Sequence, residues 1–238
     1  MIGELNEKQN LKLAASKTYT LPQFKERAPF LYEEVGQSYF GNPYLYNSTD
    51  YNFDLKWEYF PKNSEVISLT GFGKYILNPI NEATVASATN DISWVNSGEK
   101  AIGLGGELEI RKNLFTRENT SENKSANLST GLNVSYLFTN QDLDSEKVLK
   151  ETNNSISVFF TNDESRLTGA SDLLINADMS FNKDFSKEQS LSATLTGSYF
   201  SDRIYALGAT GKGDLVDSDV ITIDFILKYK LSKNIGFS

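Results

Sequence analysis

The sequence predicts an all-β chain: an antiparallel, up-and-down segment of a transmembrane β-barrel, with about eight strands plus a truncated ninth, forming part of a larger barrel. Three observations carry that prediction. Of the 238 residues, 65 are Ser, Thr or Asn and only 39% are hydrophobic, a composition poor for helices and good for strands and turns. Residues 51–59 alternate large apolar and polar side chains without a break. The connections between segments of this kind are long and short by turns, which sorts loops and tight turns to opposite ends of an up-and-down sheet.

The segment 51–59 sets the standard for the rest. Tyr51, Phe53, Leu55, Trp57 and Tyr59 fall on one face, and Asn52, Asp54, Lys56 and Glu58 on the other. A helix would scatter the five large side chains around its circumference, whereas a strand lines them in one row. Looser alternation predicts strands over 11–19, 66–77, 101–112, 128–138, 173–181, 191–200 and 220–231, with a ninth beginning at Ile235 and cut off at Ser238. In 101–112, Ile102, Leu104, Leu108 and Ile110 alternate with Glu107, Glu109 and Arg111; in 220–231, Ile223, Phe225, Leu227 and Tyr229 alternate with Asp224, Lys228 and Lys230. The charges named fall on one face of each segment. Strands of this length suit a tilted membrane crossing, which needs ~9–11 residues, better than the ~5–6 usual in globular sheets.

The connections 20–46, 78–100, 139–172 and 201–219 are long; 61–65, 182–190 and 232–234 are short, and 113–127 reads as a somewhat extended member of the short set. A soluble Greek-key sandwich has no reason to sort its loops in this way. Tyr59, Phe60, Phe181 and Tyr229 fall at the short-turn ends, where an interfacial aromatic girdle belongs.

Composition also removes whole classes of function. A formal charge of -8 leaves no general cationic field for phosphate backbones, so nucleic acid is not expected as a partner. With no Cys and no His, disulfides, thiolate or imidazole metal sites and Ser/His or Cys/His catalysis are excluded. The first ten residues carry Glu4, Glu7 and Lys8 where a secretory leader would be apolar. Apolar runs fall far short of the ~18 residues of a membrane helix, a test blind to membrane strands.

Weaker signals have plainer readings. Glu107 and Glu109 are about 7 Å apart on one strand face, spacing reminiscent of a glycosidase pair, but Arg111 follows on the same face as in a wet barrel wall. Ser97 to Lys100 and Ser121 to Lys124 spell Ser-x-x-Lys without helical pattern or a Lys-Thr-Gly partner. Gly208-Ala-Thr-Gly-Lys-Gly213 lacks phosphate-loop spacing and is read as a flexible outer loop. The acidic groups Asp142, Asp144, Glu146 and Asp214, Asp217, Asp219 lack the glycine turn and terminal bidentate Glu of a calcium loop and are read as solvated. No catalytic, metal or cofactor site is expected.

Specific landmarks then point to a family. The run from Asn10 to Phe30, Gly41-Asn-Pro-Tyr-Leu45, Tyr51-Asn-Phe-Asp-Leu-Lys-Trp-Glu-Tyr59 and Phe72-Gly-Lys-Tyr-Ile-Leu-Asn-Pro-Ile80 resemble, in order, the late barrel of TonB-dependent outer-membrane receptors, particularly those of Bacteroidetes type. Gly106 to Lys112, Arg166-Leu-Thr-Gly-Ala-Ser171, Asp202-Arg-Ile204 and Leu227 to Asn234 continue the match over nearly the whole chain. The resemblance implies a receptor of the Gram-negative outer membrane that takes up a scarce nutrient such as a siderophore, cobalamin or oligosaccharide. It also implies a barrel of about 22 strands, of which residues 1–238 would be a part, with signal peptide, plug domain and last strands absent. Outer-membrane lipid, the rest of the barrel and the plug would be its partners, with TonB engaged only through the missing plug.

The connection 22–46 is the candidate ligand surface, because its aromatic side chains Phe24, Tyr32, Tyr39, Tyr44 and Tyr46 offer stacking area, although packing over the barrel mouth uses the same residues equally well. The rival from another class is a secreted two-sheet β-sandwich that binds carbohydrate through its loops. The two differ in where the apolar rows go: a sandwich buries them and a barrel turns them to lipid.

Overall fold

The computed structural model describes residues 2–119, 124–209 and 211–237. One large antiparallel sheet dominates it. Its strands run in spatial order β1 (Ile2–Asn6), β2 (Gln9–Thr20), β5 (Ser48–Tyr59), β6 (Val66–Leu77), β9 (Lys100–Asn119), β10 (Lys124–Asp142), β12 (Leu173–Asp184), β13 (Ser190–Phe200), β16 (Val220–Ser232) and β17 (Ile235–Phe237), with the two-residue β11 (Glu164–Ser165) also on β10. Every neighbour on this path is consecutive in the chain apart from elements inside the long connections, as an up-and-down meander requires. β1 and β17 occupy opposite edges and do not pair with each other, so the sheet is an open arc of barrel wall and not a closed eight-stranded barrel. Among the described residues no helix is long and apolar enough to cross a membrane, which says nothing of strands.

Register explains the two faces. One perpendicular row reads Leu11, Trp57, Leu69, Leu108, Val134, Ile175, Tyr199, Ile221; the row one residue away reads Asn10, Glu58, Ser68, Glu109, Asn133, Asn176, Ser198, Thr222. Eight strands agree on which face is greasy. The polar face is the crowded, concave one: Glu58 is 7% exposed and Ser68 1%, whereas Leu69, on the convex face, is 56% exposed. Among the described residues no second layer covers the apolar rows, which leave Phe53, Leu104, Leu195 and Phe225 exposed among many others. This overturns the sandwich alternative, whose defining feature is a sheet laid on those rows. Trp57 stacks on Tyr59, and Phe115 tilts against Phe181, at the short-turn end of the apolar face.

The row through Leu11 starts two residues above the turn end of β2 and reaches Ile221 eleven residues above the turn end of β16. A climb of nine residues over seven strand steps, at ~3.3 Å per residue and ~4.8 Å per strand, corresponds to a strand tilt of about 40°, as in membrane barrels.

Three expectations about boundaries need correction. A strand, β1, precedes the first one expected and makes a hairpin with β2. The supposed connection 113–127 is mostly strand, since β9 continues to Asn119 and β10 starts at Lys124. A register shift at Leu128/Ser129 puts Phe115 on the row of Leu128 and skips a residue, which hid the continuing strand. The long connections, finally, are not bare loops. They hold α1 (Phe24–Arg27), α2 (Ser145–Glu151), a second sheet of β3 (Leu31–Glu34), β4 (Gln37–Phe40), β8 (Ile92–Asn96) and β7 (Ile80–Thr84), and the pair β14 (Arg203–Ala206) and β15 (Leu215–Asp217).

The buried apolar core lies in this cap and not between sheets. One cluster gathers Ala83, Val85, Val95, Val148, Ile156, Val158, Ile204 and Leu207; another gathers Tyr39, Leu45, Ile92, Trp94 and Ala206. All four long connections contribute, so the loop end of the wall carries a folded body of its own.

Candidate functional site

Local chemistry fixes each piece of the cap. Gln23 and Glu26 cap α1 reciprocally, with the Gln23 backbone N–H donating to Glu26 Oε2 at 2.8 Å. At Gly41 the chain runs against Ala28: a Cβ would stand 2.0 Å from the Ala28 carbonyl oxygen, so only glycine fits. Asn42 follows, 2% exposed, donating from Nδ2 to the Trp94 carbonyl at 2.9 Å while its Oδ1 accepts from the Tyr44 backbone N–H at 3.0 Å. The Gly-Asn-Pro-Tyr-Leu run is therefore a splice between the first long connection and β8.

A buried polar cluster ties the cap to the wall from the concave side. Asn81 Nδ2 donates to Ser97 Oγ at 2.6 Å and to Gln141 Oε1 at 2.7 Å; Thr168 Oγ1 donates to Asn81 Oδ1 at 2.7 Å; Gln141 Nε2 donates to the Arg166 carbonyl at 2.8 Å. Gln141 belongs to wall strand β10 and Asn81 to cap strand β7, so the amides are the joint. Beside it Arg166 clamps two strand ends, donating to Asp172 at 2.8 Å and Asp202 at 2.9 Å.

Against this joint opens a cavity of about 330 Å³, lined by Glu26, Ile80, Glu82, Trp94, Arg203 and Tyr205 among others. Among the described residues, Glu82 Oε2 is closed off from solvent and has no hydrogen-bond partner. Burial pushes the Glu82 carboxyl above its usual range, with Trp94 and the Lys25 charge opposing the shift and Glu26 and Glu34 reinforcing it. Burial likewise pushes the Tyr205 phenol up. Arg203 is already engaged, with Nε 3.0 Å from Asp217 Oδ2.

An open wall of tilted strands, greasy outside and wet inside, with a folded loop cap at one end, is the setting for the comparison with known proteins. The profile of the outer membrane protein beta-barrel family matches residues 2–237. The chain belongs to the outer membrane protein β-barrel family. Its place is accordingly the outer membrane of a Gram-negative cell. Solved structures with the same fold include a mutant of the ferric enterobactin receptor PfeA from Pseudomonas aeruginosa in complex with enterobactin (20% identity, TM-score 0.57), the siderophore receptor PirA from the same organism (17%, 0.55) and PirA from Acinetobacter baumannii (17%, 0.57). Each similarity covers 99% of this chain and 33–34% of the solved one, so this outer membrane β-barrel chain spans about a third of the receptors it matches. No curated protein matches it.

In this outer membrane β-barrel protein the five aromatic residues singled out by sequence part company. Phe24 on α1 is 83% exposed and Tyr44 is 41% exposed. Tyr39 is buried and stacked on Trp94, with ring centres 5.5 Å apart. Tyr32 is half-buried beside that cluster. Tyr46 is tied into the cap, its hydroxyl 3.0 Å from the Glu151 carboxylate and receiving a hydrogen bond from Lys147 at 2.8 Å. Of the cavity residues, the sequence singles out Arg203 only within the landmark Asp202-Arg-Ile204, and Glu82, Trp94 and Tyr205 not at all. Trp94 had a signal, the short apolar run Ile92-Ser-Trp-Val inside a long polar connection; Glu82 and Tyr205 had none.

The other motifs resolve into structural roles. Glu109 bonds to Arg111 and Ser68 within the wet wall, and Asn133 donates to Glu107. Asp144 caps α2, accepting from the Lys147 backbone N–H at 2.9 Å. Gly98 packs against the Asp142 carbonyl, where a Cβ would stand 2.0 Å away. Gly208 donates its backbone N–H to Asp214 at 2.8 Å, closing a turn in which Thr210 lies outside the described residues. Ser121 and its two neighbours also lie outside them.

Proposed function

We propose that this chain is the wall and outer vestibule of a TonB-dependent receptor that takes up a scarce nutrient, with a ferric siderophore first among the candidates and cobalamin or an oligosaccharide behind it. The carrying observation is the pairing of an uncovered apolar face with a polar concave face, matched along 99% of the chain by siderophore receptors. On this reading the strands satisfy their backbone hydrogen bonds laterally in lipid, while the cap shapes the approach to the lumen. Residues 1–238 form one partial barrel, completed along the free edges of β1 and β17 by further strands and filled by a plug through which TonB pulls. Within the connection 22–46, Phe24, Tyr32 and Tyr44 are ligand-facing members, Tyr39 joins them from its stack on Trp94, and Tyr46 holds the loop in shape. The chain breaks and makes no bond, and it uses neither metal nor cofactor. A Bacteroidetes-type receptor is the subgroup suggested by the order of the sequence landmarks.

The test is growth and uptake. A strain lacking the complete gene should lose growth on a ferric siderophore at limiting iron and regain it when the gene is restored. Unchanged uptake of labelled ferric siderophore across a panel of catecholate and hydroxamate types overturns the siderophore assignment.

A further inference from the structure

Lys25 sits in an aromatic box. Its ammonium nitrogen is 5.2 Å from the ring centre of Tyr39, 5.7 Å from Tyr32 and 5.8 Å from Trp94. Three π faces within ~6 Å of one ammonium is the arrangement by which aromatic cages hold alkylated amines. Carboxylates crowd the same place: Glu34 pairs with Lys25, and Glu26 and Glu34 both act on Glu82, which Lys25 alone among these three neutralises. Glu82 Oε2 is shut away from water with no partner among the described residues, and Glu82 and Trp94 both line the 330 Å³ cavity, so Trp94 serves both box and cavity. The lysine is lightly held, because its side chain is 43% exposed and that of Glu34 54%, and exposed pairs of this kind contribute little. Arg203, a cation on the cavity wall, is turned to Asp217, with Nε 3.0 Å from its Oδ2.

We propose that this box, together with the cavity that shares its Trp94, binds a ligand carrying an ammonium group, free or alkylated. The group replaces the Lys25 ammonium among Tyr32, Tyr39 and Trp94, with Glu82 as its counter-ion, and the remainder of the ligand lies against Tyr205 and Ile80. The proposal rests on the reading of the cap as a ligand-facing vestibule and adds the charge of what it receives. Lys25 is then a built-in competitor: it occupies the box in the empty state and lowers apparent affinity by the fraction of time the box is closed.

The experiment uses the chain folded in detergent micelles on a Trp57→Phe background, so that Trp94 alone reports by fluorescence. The probes are choline and its neutral isostere 3,3-dimethylbutan-1-ol. Choline should shift Trp94 emission saturably and the alcohol should not. Lys25→Met should tighten choline about tenfold, and Glu82→Gln should weaken it about tenfold. Equal responses to choline and the alcohol, or a Lys25→Met chain that binds no tighter, overturn the cation site while β circular dichroism in the same micelles leaves the wall assignment standing. A chain that stays monodisperse and folded in plain buffer overturns the wall assignment and, with it, this proposal.

Discussion

Leu195 and Thr196 are adjacent on β13 and face opposite ways, which makes them a matched pair for asking where lipid lies. Leu195 is the sixth of eleven residues in its strand, between Met179 and Phe225 on the apolar face, and is 50% exposed. Arginine there would put a guanidinium into hydrocarbon near the midplane, at about 2–4 kcal/mol. Losing the lipid contact of the exposed half of a leucine adds about 1 kcal/mol. The total of about 3–5 kcal/mol is a large share of the ~5–15 kcal/mol that ordinarily holds a fold. Thr196 lies between Asp178 and Asp224 on the wet face, so arginine there gains two carboxylate neighbours and should change stability by no more than about 1 kcal/mol. Urea unfolding in lipid vesicles, followed by tryptophan emission, measures both. Equal losses in Leu195→Arg and Thr196→Arg, or a larger loss in the second, would refute the assignment of the two faces.

Gln141→Leu should loosen the cap and spare the wall: Asn81 and Ser97 lose their buried partner, at about 2–4 kcal/mol, so hydrogen exchange across β7 and β8 should accelerate while β9 and β10 stay protected, and unchanged exchange in β7 counts against the amide joint. The raised pKa of Glu82 gives a sign for pH. The folded cap holds that proton more tightly than the unfolded chain, whose carboxyl titrates near ~4.3, so the stabilisation is complete below that pH and is lost as pH rises through the folded-state value. Protease resistance of the cap should therefore fall with rising pH above about 4, and Glu82→Gln should flatten that dependence; an unaltered slope in the variant assigns it elsewhere.

How much could be read from sequence depended on how many faces of a strand are wet. β5 was legible at once because one face meets lipid and the other water, giving strict alternation from Tyr51 to Tyr59. β8 has all five residues buried in the cap, so Ile92-Ser-Trp-Val-Asn96 shows no period at all. β9 faded beyond Lys112 because the irregularity at Leu128/Ser129 shifts the phase, and Leu114 and Phe115 then read as a break. β1, at five residues with Glu4 in its middle, is too short to show a pattern. The candidate ligand aromatics could be picked out as a dense local run, but the cavity could not. Lys25, Glu82 and Tyr205 come from three separate long connections, and only the folding of those connections onto one another brings their charges together.

The stagger of the strands has a geometric consequence for anything touching the wet face. Because neighbouring residues climb as they pass from β2 to β16, the row from Asn10 to Thr222 is a ramp of amides, hydroxyls and carboxylates winding up the bore, low at the periplasmic rim and high at the mouth. A solute handed from one of these groups to the next cannot travel straight along the axis; it must turn around the bore as it descends.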